Sequence, residues 1–130
     1  MNDKREYKTI QIGGASYQNG TYVQLNLSAR EMTHLAQCLE ASCSTREPIL
    51  TRLGAMAVEW QFGRDVGLAT MEHPGRIVIV SNSVDMRSLA RELQAFAYEE
   101  RSDDSIPHVH LEPVYIVPSS TVSDVVFNMV

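Results

Sequence analysis

Only two cysteines, one tryptophan and no long apolar run occur in these 130 residues. Cys38 and Cys43 stand five apart, with no second pair behind them, so neither a disulfide framework nor a zinc quartet is indicated. Reduced, buried or half-buried thiols in a reducing compartment are the expected reading. No stretch reaches the ~18–20 apolar residues of a membrane span, and the opening MNDKREYK is charged, without the apolar core of a secretory leader. Basic excess is also missing. Eleven Lys and Arg stand against 16 Asp and Glu, a formal charge of −5, which excludes a nucleic-acid binder by default. The chain carries no G-x-S-x-G elbow, no glycine-rich phosphate loop followed by Lys, and no H-E-x-x-H. Gly13-Gly14-Ala15-Ser16 is glycine-rich but leads towards a strand rather than a helix start, so it lacks an anion-binding terminus. With no flexible linker or low-complexity tail, the expectation is one soluble, cytoplasmic domain over residues 1–130.

What is present is alternation and helical periodicity. Tyr7 to Ile12 and Thr21 to Leu27 alternate as strands, and the Gly-containing segment between them predicts a hairpin. Ser28 and Glu31 form a capping box, followed by Met32, Leu35, Ala36 and Leu39 at helical spacing. Ser44 and Glu47 repeat that pattern and predict a second helix to about Phe62, carrying Ile49, Leu50, Leu53, Met56, Ala57 and Trp60, with Gly63 as its stop. Val66–Met71 and Arg76–Ser81 flank the turn residues His73-Pro74-Gly75, and the run Ile77–Val80 suits a strand covered on both faces. A third helix is expected from Ser83 and Asp85 to about Glu100, then two strands near His108–Val117 and Val122–Met129. These elements predict an α+β fold, a two-layer sandwich of a mixed or antiparallel sheet with two or three helices.

Two strand-then-helix units share a register. At a constant offset of 54, Val23 meets Ile77, Leu25 meets Ile79 and Glu31 meets Asp85, while Met32, Leu35, Ala36, Leu39 and Ala41 recur as Met86, Leu89, Ala90, Leu93 and Ala95. A duplicated unit explains this. So does the common Leu, Ala and Met vocabulary of amphipathic helices.

The chemically suggestive segment is Pro107-His108-Val109-His110-Leu111-Glu112-Pro113. As a strand it puts His108, His110 and Glu112 on one face and Val109 and Leu111 on the core face. Two imidazoles and a carboxylate are suitable ligand types for zinc or ferrous iron, which makes a small metal-dependent enzyme one reading. Same-face neighbours lie about 6.5–7 Å apart, so a further ligand would have to come from elsewhere, with Glu72 and His73 the loop candidates. Cross-strand hydrogen bonding, or a partner-binding face, is the favoured use; no cofactor and no catalytic residue is assigned. The pattern His110-x-Glu112 also fails the H-x-T/S of two-histidine phosphoesterases.

Charge is unevenly placed. Residues 1–65 hold seven basic and seven acidic side chains, so the whole −5 belongs to residues 66–130, densest at Glu99, Glu100, Asp103 and Asp104. That cluster suits either a solvated helix end or a face steering a basic partner. Trp60 and Phe62, beside Glu59 and Arg64, are candidate interface anchors if they are not core. The apolar tail Val125–Val130, if it lies at a sheet edge, offers a route to a homodimer.

The strand before Ser83, the helix Ser83-Val-Asp-Met-Arg-Ser-Leu-Ala-Arg-Glu-Leu93, His108-Val-His-Leu-Glu-Pro113, and Ser119 and Ser120 ahead of Asp124-Val-Val-Phe127 together resemble a known family. It is the small immunity proteins of bacterial polymorphic toxin systems, in particular the immunity protein thirty-two type. The resemblance covers about residues 66–130 and is most specific at the histidine strand. It implies an α+β binding domain that blocks a toxin in the cytoplasm without catalysis. Residues 43–63 have no counterpart in it. The expected partner-binding residues are His108, His110, Glu112, Glu99, Glu100, Asp103 and Asp104, with a basic toxin domain as the partner and neither nucleic acid nor membrane.

Overall fold

A computed structural model describes residues 8–63, 65, 67–73, 75–98, 108–111, 114, 121, 122 and 124–129, with backbone only for Lys8, Asn19, His73 and His108. The described elements are β1 (Lys8–Ile12), β2 (Ala15–Asn19), β3 (Tyr22–Leu27), α1 (Ala29–Thr45), β4 (Ile49–Leu53), β5 (Met56–Phe62), β6 (Leu68–His73), β7 (Arg76–Ser81), α2 (Ser83–Tyr98), β8 (His108–His110) and β9 (Asp124–Met129). The fold is α+β, a sandwich with two mixed sheets. One sheet has the order β1-β4-β5-β7-β6 and the other β2-β3-β9-β8. In each, two antiparallel hairpins meet through a parallel central pair, β5 with β7 and β3 with β9.

Local chemistry explains the elements. Ser28 caps α1 in a complete capping box: Glu31 N–H donates to Ser28 Oγ at 3.1 Å, and Ser28 N–H donates to Glu31 Oε1 at 2.8 Å. At α2 the cap is Asn82, one residue earlier than the expected Ser83. Its Oδ1 accepts from Asp85 N at 2.7 Å, and Met86 N donates to its carbonyl at 3.1 Å. The helices lie antiparallel and pack on each other, burying Met32, Leu35, Ala36 and Leu39 against the core along with Met86, Leu89, Ala90 and Leu93. Inward-facing strand residues complete that single core, including Val23, Leu25, Leu27, Val58, Ile77, Ile79, Val109 and Phe127.

The register similarity at offset 54 has a geometric counterpart. Each half of the chain runs hairpin, helix, hairpin, and gives one hairpin to each sheet: β2–β3 and β8–β9 form one, β4–β5 and β6–β7 the other, to which β1 is added. The halves are thus related by a pseudo-two-fold exchange. Trp60 pairs with Ile79, and Phe127 pairs with Leu25, the counterpart of Ile79. Trp60 and Phe127 are therefore equivalent positions, and their rings stack across the two sheets at 6.5 Å between centroids.

Several expectations are corrected. Residues 44–62 form no second helix: β4 and β5 are strands joined at Gly54-Ala55, where Gly54 has φ of 59°. The capping pattern at Ser44 is only the C-terminal end of α1, which closes at Arg46 in a left-handed conformation. The strand over residues 7–12 makes no hairpin with β3. At Gly14 (φ 108°) the chain leaves the first sheet for the second, and an added Cβ there would sit 2.3 Å from Asn26 O. The hairpin partner of β3 is instead β2. Of the expected strand His108–Val117, residues 108–110 are strand, while 115–117 lie outside the described residues. The two routes to a homodimer also lose their surfaces. Strand β9 is interior, bonded on both sides by β3 and β8, and Trp60 is fully buried.

A buried threonine and the tryptophan indole are paired between β4 and β5. Thr51 is fully buried, donates to Val58 O at 3.1 Å, and accepts the Trp60 indole N–H at 3.1 Å. Neither cysteine forms a disulfide; Cys43 is buried and Cys38 half-buried on α1. Burial pushes the Cys43 thiol above its ordinary value, with Arg87 opposing and Glu40 reinforcing the shift.

Candidate functional site

The outward face of the four-stranded sheet is built from alternate residues of β2, β3, β9 and β8. Register places Tyr17, Gln24, Val126 and His110 in one row across it. A second row holds Ala15, Asn26, Asn128 and the backbone of His108, and a third contains Tyr22 and Asp124. Inward-facing Val23, Leu25, Val125 and Phe127 lock this register, because a one-residue slip would turn them all to solvent.

The polar groups of this face hold one another. The Tyr22 hydroxyl reaches Gln24 Oε1 at 3.5 Å, Gln24 Nε2 donates to Asn26 Oδ1 at 2.9 Å, and Asn128 Nδ2 donates to the same oxygen at 3.1 Å. His110 Nδ1 lies 2.6 Å from Asp124 Oδ2, so that nitrogen carries the proton donated to the carboxylate. Val126 is buried at the centre of the face, and Tyr17 is 55% exposed at its rim. Held amides, the Tyr22 phenol and a histidine–carboxylate hydrogen bond around a small apolar floor form a surface that can be recognised with little loss of side-chain freedom.

The outward face of the five-stranded sheet differs at equivalent positions. Glu59, the counterpart of Val126, is buried and accepts from Arg76 Nη2 at 2.7 Å and from Gln61 Nε2. Glu72 Oε2 lies 3.3 Å from Arg76 Nε, an electrostatic contact without hydrogen-bond alignment. Leu50 stands where the other sheet has His110, and Val78 where it has Gln24. This face closes around its own charges; the other presents polar groups outward.

Of the expected site residues, His110 lies on the polar face, 44% exposed, and the backbone of His108 shares its strand. Val109 and Leu111 are buried, as the alternation requires. Glu112, Glu99, Glu100, Asp103 and Asp104 lie outside the described residues. Among the described residues no three His, Cys, Asp or Glu side chains stand close enough to hold a metal ion. Sequence reasoning missed Asp124 and the set Tyr17, Tyr22, Gln24, Asn26 and Asn128. For Tyr22, Gln24 and Asn26 the signal was the polar phase of the β3 alternation; Tyr17 on β2 and Asp124 and Asn128 on β9 join them only through strand pairing. No family model matches the chain, and no curated protein matches it either. Among the described residues no helix is long and apolar enough to cross a membrane.

Proposed function

We propose that this chain is a non-enzymatic protein-binding module working through the outward face of the β2-β3-β9-β8 sheet, and that it neutralises a bacterial toxin in the cytoplasm. One observation carries the reading: the ordered polar row of that face, set around Val126, where the equivalent face of the other sheet is closed by Glu59 and Arg76. The net negative charge of residues 66–130, to which Glu99, Glu100, Asp103, Asp104 and Glu112 contribute, supports a basic toxin domain as the partner. The resemblance of residues 66–130 to the immunity protein thirty-two type supports the same choice.

Co-expression is the test. The product of the gene beside the one encoding this chain should arrest bacterial growth alone, be tolerated when this chain is co-expressed, and co-purify with it. A harmless neighbour that does not bind the purified chain would refute the toxin reading.

A further inference from the structure

The outward face of the five-stranded sheet is aliphatic where the other is polar. The run Ile77–Val80 has the composition of a strand covered on both sides. Its inward residues, Ile77 and Ile79, lie in the core that both helices join. Val78 and Val80 point the other way, with Leu50, Ala57 and Leu68 on neighbouring strands. Leu50, Ala57 and Val78 are buried yet stand outside that core. At offset 54, Val78 and Val80 replace Gln24 and Asn26, and Leu50 stands in the place of His110. Three polar positions of one face are thus aliphatic on the other.

Charge on this face is divided between its two sides. Arg52, on β4, is exposed and makes no ion pair among the described residues. On the far side Glu59, Arg76 and Glu72 form one group, two carboxylates around a guanidinium, with a formal excess of one negative charge. The irregularity in β6 between Met71 and His73 places exposed Glu72 beside Arg76, level with the row that holds Arg52 and Ala57. Strands β4 and β6 flank the central β5–β7 pair symmetrically, each about 7 Å from the line between those two strands. A two-fold axis along that line sets β4 over β6 of a second copy at the same level, so Arg52 of each copy meets Glu72 of the other. Glu59 already accepts from Arg76 and Gln61, so covering it strands no charge.

We propose that this chain forms a weak homodimer through the outward face of the β1-β4-β5-β7-β6 sheet, packed face to face on a second copy about that axis. The contact is isologous: Leu50, Val78 and Val80 supply its apolar centre, and the Arg52–Glu72 pairs set its register. Five strands by about five residues make a patch of roughly 400 Å² on each copy, below the ~800 Å² of a standard interface, so association depends on concentration. The toxin reading uses the other sheet, so neither proposal depends on the other.

Sedimentation velocity of the full chain from about 5 to about 500 µM should show a monomer passing into a dimer. Val78→Lys, checked for folding by circular dichroism, should weaken association at least about tenfold by placing a charge in the apolar centre. Arg52→Glu and Glu72→Arg should each weaken it about tenfold, because like charges then meet at both contacts. Mixing these two variants in equal amounts should restore association, since every contact in the mixed dimer joins opposite charges. A role confined to one folded chain cannot produce that recovery. A monomer at every concentration would overturn the proposal, as would unaltered association in folded Val78→Lys or the absence of recovery in the mixture.

Discussion

Replacing Phe127 by alanine probes the contact that joins the two sheets. Phe127 and Trp60 are both fully buried, occupy equivalent positions of the two half-chains, and stack at 6.5 Å with an interplanar angle of 23°. Truncating a buried phenylalanine costs about 3–5 kcal/mol, the lost transfer of the ring plus the cavity left behind. Ring–ring attraction contributes about 0.5–1.5 kcal/mol beyond burial. Against the roughly 5–15 kcal/mol of a whole domain, this is a large share from one side chain. With a urea slope of about 2 kcal/mol per molar, the unfolding midpoint of Phe127→Ala should fall by about 2 M. Trp60 is the single tryptophan, so its fluorescence reports directly on the site. The milder Phe127→Leu should cost about 1–1.5 kcal/mol and keep the protein folded. A double-mutant cycle with Trp60→Leu, followed by circular dichroism, should return a coupling of about 1 kcal/mol. A Phe127→Ala loss below about 1 kcal/mol, or a coupling near zero, would refute the idea that these rings tie the sheets together.

Other perturbations separate the remaining contributions. Thr51→Val leaves the buried Trp60 indole N–H without its acceptor and should cost about 1–3 kcal/mol in urea unfolding, despite the closely matched shape. Arg76→Met strands the buried Glu59 carboxylate. The Arg76 side chain is partly exposed, which softens the loss to about 2–3 kcal/mol, and adding Glu59→Leu should restore most of it. The Cys43 thiol is raised by burial, so the folded chain holds that proton more tightly than the unfolded one. Stability should therefore be flat below the unfolded thiol's pKa of about 8.5 and fall as pH rises above it, with a smaller decline in Cys43→Ala on thermal melts from pH 7 upward.

The helices and the β6–β7 hairpin were legible because their signals are local. Capping at Ser28 and the spacing of Met32, Leu35 and Leu39 need no knowledge of the rest of the fold. Residues 44–62 misled for an equally local reason. Apolar Ile49, Leu53, Met56, Ala57 and Trp60 satisfy a helical period, while the inward position at Thr51 is polar and breaks the visible strand alternation. Only the Trp60 indole and the Val58 carbonyl, reached across the β4–β5 pair, make a buried threonine acceptable there. The two-sheet arrangement was equally hidden, since adjacent β1 and β2 part company at Gly14, and the C-terminal strand enters between β3 and β8. At the candidate site, His110 stood out as an unusual residue type. Its partner Asp124 is 14 residues away, and Gln24 and Asn26 read as ordinary solvent-facing positions. Such a site exists only once register has aligned four strands.

The central claim is that the β2-β3-β9-β8 face is the binding surface. Its most direct test is the affinity of the purified neighbouring gene product for Tyr22→Ala, Gln24→Ala and His110→Ala, each checked for folding by circular dichroism. At least one should lose about 2 kcal/mol, roughly 30-fold in Kd, while Arg52→Ala on the other sheet changes it less than about threefold. Unchanged affinity in all three face variants, or a larger loss from Arg52→Ala, would contradict the account.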